Sequence, residues 1–195
     1  LLVVGIVYLM GFVNGLTALV AGFTASVYLY VYTPLKKISA LNTIFGAVAG
    51  ALPPVMGWTA AAGRFEPGAW VLFGILFFWQ FPHYFSLAWI YREDYARAGL
   101  SMLPVVEEDG KGTSRRILGF TVALLGASFL PLFSSSAGKT YAFSAGILGM
   151  GLLILGILFA LDRTALRARR LFFASVIYLP VLLTVLVCDG VRWGL

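Results

Sequence analysis

Residues 79–106 read WQFPHYFSLAWIYREDYARAGLSMLPVV, and this stretch passes from an apolar run into a charged one. The apolar half holds Gln80, Pro82 and His83, the only histidine of the chain. The charged half begins with RED at residues 92–94. A helix that leaves a lipid bilayer for water has this order of residues. The stretch therefore predicts a membrane span whose end carries both acidic and basic side chains.

The composition of the whole chain also indicates a membrane protein. Its 195 residues are 61% hydrophobic and 11% charged, and the mean hydropathy is +0.94. A soluble domain carries about 25% charged residues, so this chain has too little polar surface to cover a core in water. The single cysteine, Cys188, cannot form an internal disulfide.

Short charged or Gly/Pro-rich breaks divide the chain into seven apolar segments. These are residues 1–13, 16–32, 43–62, 69–91, 117–133, 141–161 and 171–188. All but the first reach the roughly 17–25 residues that a spanning helix needs. Backbone polar groups in lipid must bond within their own segment, and the alternating strands of a barrel are not visible. The predicted fold is an all-α membrane protein, a bundle of seven transmembrane helices.

The basic residues give the bundle an orientation. With seven spans, the loops near 33–42, 92–116 and 162–170 lie on one side of the membrane. This side carries eleven Lys and Arg residues, and the other side carries three. The positive-inside rule puts the eleven in the cytoplasm or the organelle matrix. The net charge of +6 is then a matter of topology, and no basic domain for nucleic acid is expected. The run RTALRARR at 163–170 is expected to anchor a loop against anionic lipid.

A continuous helix from Ala69 to about Asp94 would bring His83 and Asp94 onto one face, because positions eleven apart nearly eclipse. Asp94 would lie about 16 Å along the axis from His83, at the membrane surface. This arrangement predicts a pocket with a polar floor and an acidic mouth. The alternative is a histidine bonded to a neighbouring helix, with acids that mark only the end of the span.

A second group of polar residues leaves the membrane on the same side. Tyr32 and Lys36 are spaced Y-x-x-x-K, and a lysine with a nearby hydroxyl is suited to phosphate. Carboxylates on the same face can hold Mg²⁺ together with a substrate's phosphates. The alternative is a basic membrane anchor. Asn42 begins the next helix, which Pro53 and Pro54 are expected to break near its middle.

The blocks YTPLKKISALNTIFGAVAGALPPVMGW (32–58) and WQFPHYFSLAWIYREDYARAGLSMLPVV closely resemble the protohaem IX farnesyltransferase (haem O synthase) family of UbiA-type intramembrane prenyltransferases. The resemblance implies nine helices around a cavity, of which this chain matches helices three to nine. Residues 1–195 would then form one integral-membrane domain that is incomplete at its N-terminus. It also implies transfer of a farnesyl group from farnesyl diphosphate to a vinyl group of haem B, with water added, to give haem O.

The resemblance further implies Mg²⁺ bound by two acidic motifs. The second motif matches YREDYARAG. The resemblance therefore implies that Asp94 and Glu93 are metal ligands and that Asp94 is also a catalytic residue. The first motif would lie upstream of Leu1, and this chain alone is therefore expected to be inactive. Many UbiA relatives have a second Asp where this chain has Ala98.

Other site residues follow from matches to the same two blocks. Tyr32 and Lys36 are expected near the diphosphate, and Asn42 and Arg97 join them as candidate substrate-binding residues. His83 is expected to act in catalysis, through haem contact or proton handling. The expected membrane is the bacterial cytoplasmic one, with the mitochondrial inner membrane as the alternative. Haem A synthase or terminal-oxidase assembly proteins are possible partners.

Two other functions stay open at this point. One is a UbiA-type prenyltransferase with an aromatic or quinone-precursor acceptor. The other is a transporter or membrane scaffold, since broken helices with intramembrane polar residues also occur in transporters. A transporter needs polar groups on both faces, whereas the motifs here cluster on one.

Overall fold

The computed structural model describes residues 1–107, 109–133 and 137–192, with side chains to residue 190. In these ranges the regular structure is helical. In chain order the elements are α1 (Leu2–Phe12), α2 (Gly15–Ser26), a π-helical stretch (Val27–Tyr32), α3 (Thr33–Leu35), α4 (Asn42–Ala51), α5 (Pro53–Ala62), α6 (Pro67–Ile90), α7 (Arg92–Arg97), α8 (Leu103–Val106), α9 (Lys111–Ser128), α10 (Leu130–Phe133), α11 (Lys139–Leu161) and α12 (Ala165–Arg192).

The described helices form six apolar units long enough to cross a membrane, and α1 is a shorter apolar helix beside them. The six are Gly15–Leu35, Asn42–Ala62, Pro67–Ile90, Lys111–Phe133, Lys139–Leu161 and Ala165–Gly190. Six of the seven predicted apolar segments each correspond to one of these units, and the first corresponds to α1. The break predicted at the two prolines is confirmed, because α4 ends at Ala51 and α5 begins at Pro53.

Helix α6 lies at the centre of the bundle and packs against α4, α5, α9 and α12. Its buried residues Ile75, Phe81 and Phe85 join one apolar core with α9, α11 and α12. Small residues bring α9 and α11 close together. A Cβ at Gly149 would lie 2.3 Å from Leu125 Cδ1, so the Leu125 side chain packs directly onto the glycine and would have to move if a larger residue stood there.

Hydrogen bonds gather the three basic loops at one end of the bundle. The Ser101 N–H donates to the Lys36 carbonyl at 2.9 Å, and Trp89 Nε1 donates to the Arg163 carbonyl at 3.1 Å. At the opposite end, Asn14 Nδ2 donates to the Thr59 carbonyl at 2.9 Å. This arrangement agrees with the alternation of loops on which the orientation was based.

Two sequence-based expectations about helix ends are wrong. Helix α6 does not continue to Asp94: it ends at Ile90, and Tyr91, with φ −106° and ψ 26°, turns the chain before α7 begins. The eleven-residue spacing therefore does not place His83 and Asp94 on one helix face. The run at 163–170 is not all loop, since α12 begins at Ala165 and takes in most of it.

Candidate functional site

A cavity of about 750 Å³ opens near the end of the bundle where the basic loops meet. It lies between α2, the π-helical stretch, α4, α6 and the segment from α7 to α8. Tyrosines, small residues and aliphatic side chains surround it, and among the described residues no charged side chain lines it. Its lining is Leu2, Ala21, Thr24, Ala25, Tyr28, Leu29, Tyr32, Asn42, Thr43, Gly46, Ala49, Gly50, Met56, Tyr84, Leu87, Tyr95, Leu100 and Met102.

A larger cavity of about 890 Å³ lies at the opposite end, between α5, α6 and α12. Its lining is apolar except for Glu66, which pairs with Arg64 at 2.6 Å. None of the residues predicted to carry chemistry lines it. The cavity near the basic loops is therefore the candidate site.

Tyr32 is held in this cavity by an irregular helix. The Thr33 hydroxyl donates to the Tyr28 carbonyl five residues back, at 2.8 Å, and Pro34 has no N–H to offer to the helix. This wider turn brings the rings of Tyr28 and Tyr32 to a centroid distance of 5.3 Å. The Tyr32 ring lies on Gly46, where a Cβ would be 2.9 Å from ring atom Cε2. Such π-helical insertions are frequent at functional sites.

Asn42 joins the two loops that frame the cavity. Its Nδ2 donates to the Ser39 carbonyl at 2.7 Å and to the Ser101 carbonyl at 3.0 Å. Ser101 returns two bonds to the other loop, from its N–H to the Lys36 carbonyl and from its hydroxyl to the Lys37 carbonyl at 3.0 Å. A side-chain amide has two N–H donors, and both are engaged here. Asn42 is thus placed to hold the site together.

Lys36 and the acidic pair lie at the cavity's edge and not in its lining. Lys36 is partly buried, while Glu93 and Asp94 are exposed in the first turn of α7. Asp94 pairs with Arg97 at 3.0 Å, and both side chains are exposed. Tyr95, which follows Asp94, does line the cavity. Burial, and then the neighbouring Tyr91, raises the pKa of the Tyr95 phenol above its ordinary value.

The structure places His83 against α12. Its Nδ1 lies 3.0 Å from Ser175 Oγ, and its ring stacks on Trp79 with centroids 4.7 Å apart. His83 does not line the cavity, but the next residue, Tyr84, does. The contact with a neighbouring helix is the alternative that the sequence left open. A catalytic role for His83 stays a prediction.

A third acid anchors the loop that follows α8. Glu107 accepts bonds from the N–H groups of Gly112 and Thr113 and from the Thr113 hydroxyl, the last at 2.8 Å. Burial works to raise the pKa of this carboxyl, but the bonds from Thr113 and Gly112 outweigh it and hold the pKa below its ordinary value. Glu107 therefore supports α9 as an anion at neutral pH.

Sequence reasoning missed several residues that the fold brings to the site. Leu87 was missed, although it shares a helix face with Gln80 and Tyr84. Tyr84 is one of the aromatic residues around His83 that the sequence suggested as lining for a pocket. Tyr95 could have been found as the neighbour of Asp94. Ser101 and Ser175 had no local signal, because each acts through a partner far along the chain.

The sequence matches the UbiA prenyltransferase family over residues 1–177. The chain belongs to this family. This match confirms the resemblance that was inferred from the two sequence blocks. The chain is therefore a prenyltransferase-family protein with an all-helical membrane fold.

Curated relatives carry a more specific name. The chain is 45% identical over 187 residues to the protoheme IX farnesyltransferase of Solibacter usitatus, covering 96% of this chain and 64% of the relative. It is 47% identical over 162 residues to that of Salinibacter ruber, covering 83% and 57%. It is 44% identical over 172 residues to the human mitochondrial protein, covering 88% and 38%. The chain thus spans less than two thirds of the length of each of these relatives.

A solved structure supports the fold. A structure from work on digeranylgeranylglyceryl phosphate synthase in membranes superposes with a TM-score of 0.82 at 17% identity, covering 98% of this chain and 67% of that one. At this identity the likeness shows the shared helical architecture.

Proposed function

We propose that this UbiA chain belongs to a protohaem IX farnesyltransferase, which transfers a farnesyl group from farnesyl diphosphate to a vinyl group of haem B and so forms haem O. The observation that carries the proposal is the 38–47% identity to proteins of this name in bacteria and mitochondria, over most of the chain. The two sequence blocks that resemble the family supply the Tyr32, Asn42 and Tyr95 sides of the cavity.

The reaction balances with water as a co-substrate. The allylic C–O bond of farnesyl diphosphate breaks, and a C–C bond forms to the terminal vinyl carbon. Water adds a hydroxyl to the other vinyl carbon and releases a proton, and diphosphate leaves. An apolar cavity keeps water from the allylic cation before the vinyl group reacts. The faces of Tyr28, Tyr32, Tyr84 and Tyr95 favour a cation beside them.

Lys36, Arg97 and the acids would receive the diphosphate at the mouth of this cavity. The exposed Asp94–Arg97 pair is worth little by itself, so it can open to substrate at small cost. Arg97 then faces phosphate oxygens, for which a guanidinium is suited. Lys36 adds a second positive charge on the neighbouring loop.

The donor set of α7 fits Mg²⁺ in part. Glu93 and Asp94 offer oxygen ligands, and Mg²⁺ is often held by one or two carboxylates together with substrate phosphates. Within the described ranges, no cluster of three or more metal-ligating side chains forms. Mg²⁺, when bound, would neutralise charge on the departing diphosphate. The chain's own residues would orient that diphosphate towards the cavity.

The wider setting is also proposed. Helix α6 packs both against α4 and α5 and against α9 and α12, which supports our proposal of a single membrane domain over residues 1–195. We place it in the bacterial cytoplasmic membrane, with the mitochondrial inner membrane as the alternative, because relatives occur in both groups. Proteins of haem A synthesis or oxidase assembly would take up the apolar product.

The test follows haem O by mass in membranes that contain the full-length protein, haem B, farnesyl diphosphate and Mg²⁺. We expect product from the wild type and at least a tenfold loss in Asp94→Ala. Asp109→Ala is the matched control, because Asp109 is also exposed and paired with a base, Lys111, at 3.0 Å. Transfer to an aromatic acid or a quinone precursor, and not to haem B, would overturn the proposal.

A further inference from the structure

The imidazole of His83 is fixed between aromatic rings of two helices. It stacks on Trp79, with a centroid distance of 4.7 Å and an interplanar angle of 21°. Phe172 of α12 covers it at 4.8 Å, and Tyr84 meets it edge-on at 5.4 Å. A ring held on three sides has little freedom to turn. The direction of its two nitrogens is therefore set by the packing of α6 on α12.

Ser175 determines which nitrogen of His83 carries the proton. The fully buried Ser175 hydroxyl donates to the Phe172 carbonyl at 2.6 Å. A serine has one hydroxyl hydrogen, so towards His83 Nδ1, at 3.0 Å, the same oxygen can only accept. Nδ1 must then be the protonated nitrogen of a neutral ring. Nε2 is left with a free lone pair.

Nε2 makes no hydrogen bond to the described part of the chain, and it is not a buried atom. Among the described residues, Tyr141 Oη is the one buried side-chain N or O atom without a partner. Nε2 therefore reaches open space, although His83 lies inside the α6 span. A polar atom left without a partner at such depth is costly, and polar groups there normally meet a ligand or a neighbour.

We infer that His83 Nε2 is the axial ligand of the iron of haem B. This inference rests on the proposed function and assigns one contact within it. A neutral imidazole nitrogen is a common protein ligand of haem iron. Metal-binding histidines usually donate their other N–H to a fixed partner, as Nδ1 does here to Ser175. The bond forms from the Nε2 lone pair to iron, and no proton moves.

The position suits a porphyrin whose edge reacts in the cavity. His83 is followed by Tyr84, which lines the cavity. His83 itself faces Ser175 and Phe172 of α12, so a haem held by its iron would approach the cavity from the α12 side of α6. Anchoring the iron thus orients a planar substrate that offers few other polar groups at this depth. Ser175 is a positioning residue, since it acts through His83.

The test is the absorption and electron paramagnetic resonance spectrum of ferric haem B bound to the full-length protein in detergent, at one haem per protein. We expect an imidazole-ligated spectrum in the wild type and its loss in His83→Ala and in His83→Leu, which fills more of the space and offers iron no donor atom. Added imidazole should restore the spectrum of His83→Ala. Ser175→Ala should weaken haem binding by about 10- to 100-fold, as for other partners of metal-binding histidines.

Ser144→Ala is the matched control, because Ser144 also donates to a carbonyl of its own helix, at 2.9 Å, but this bond is solvent-exposed and lies on α11, away from His83. Its haem affinity should equal that of the wild type. A wild type without nitrogen ligation, or a His83→Ala spectrum equal to the wild type at full occupancy, overturns the inference. Haem O formed by such a protein would leave the proposed function standing, whereas haem ligation without farnesyl transfer would overturn the function alone.

Discussion

The Asn42 amide donates to the carbonyl of Ser101, 59 residues away, at 3.0 Å. This bond joins the loop that carries Lys36 to the segment that follows Asp94. The diphosphate would be held by residues of both the Lys36 loop and α7, so the distance between these two segments affects how it is bound. The amide also reaches the Ser39 carbonyl at 2.7 Å, which makes Asn42 the point where the two loops meet.

Replacing Asn42 by Ala should loosen these loops. Each lost hydrogen bond is worth about 1 kcal/mol, and a loss of 1–2 kcal/mol raises the open population by about 5- to 30-fold. Trypsin should therefore cut after Lys36, Lys37 or Arg97 faster by about that factor, and the KM for farnesyl diphosphate should rise. Timed digestion of the full-length protein in detergent measures the first effect.

Asn14→Ala is the control for that variant. Asn14 makes comparable bonds at the opposite end of the bundle, to the Thr59 carbonyl at 2.9 Å and from the Thr17 N–H at 2.8 Å. It should lower thermal stability without exposing the loop of Lys36. Equal cleavage of both variants would contradict a specific role for the bond between Asn42 and Ser101.

Gly46→Ala should displace Tyr32, because a Cβ there would lie 2.9 Å from the ring. Overpacking of this kind costs about 1–3 kcal/mol. We expect a fall in farnesyl transfer together with a lower melting temperature. Gly57→Ala is the control, since nothing lies within 4 Å of the added carbon, and it should keep full activity. Full activity in Gly46→Ala would show that the Tyr32 ring can move without consequence.

Asp189→Ala should destabilise the end of the bundle opposite the cavity. The buried carboxylate accepts from the N–H groups of Gly138 at 2.7 Å and Tyr141 at 3.0 Å, and so caps α11 from α12. Leaving buried N–H groups without an acceptor costs about 1–3 kcal/mol. Thermal unfolding in detergent measures the loss. Asp162→Ala, which removes a pair between an exposed carboxylate and the partly buried Arg167, should change stability less.

Acid should weaken the anchor that Glu107 forms at the start of α9. Its pKa in the folded protein is lower than in the unfolded chain, so its contribution to stability is present above the unfolded value of about 4.3. That contribution is lost as the pH falls through the folded value. The melting temperature of Glu107→Gln should therefore lie below that of the wild type at pH 7 and approach it at low pH. A constant difference from pH 7 to pH 3 would exclude the carboxylate's charge as the cause.

The amino-acid sequence determined the class of fold and the family. Long apolar segments must be helices in lipid because their backbone groups have no other partners. Hydropathy placed most segment ends closely, but Lys111–Phe133 and Ala165–Gly190 each begin six residues before the predicted apolar run, because charged first turns extend these helices. The blocks around Tyr32 and Asp94 were enough to indicate the family. These properties are local, so they can be read without knowing which helices touch.

The tertiary structure decided which side chains act together. The periodicity of one helix predicted that His83 and Asp94 would share a face, but the turn at Tyr91 separates them. The histidine is instead hydrogen-bonded to Ser175 of α12. Asn42, predicted to bind substrate, lines the cavity, and the tertiary structure adds that its two donors are engaged by the carbonyls of Ser39 and Ser101. Substrate binding by Asn42 stays a prediction. Hydrogen-bond partners far apart in the chain depend on how helices pack, and no local spacing contains that information.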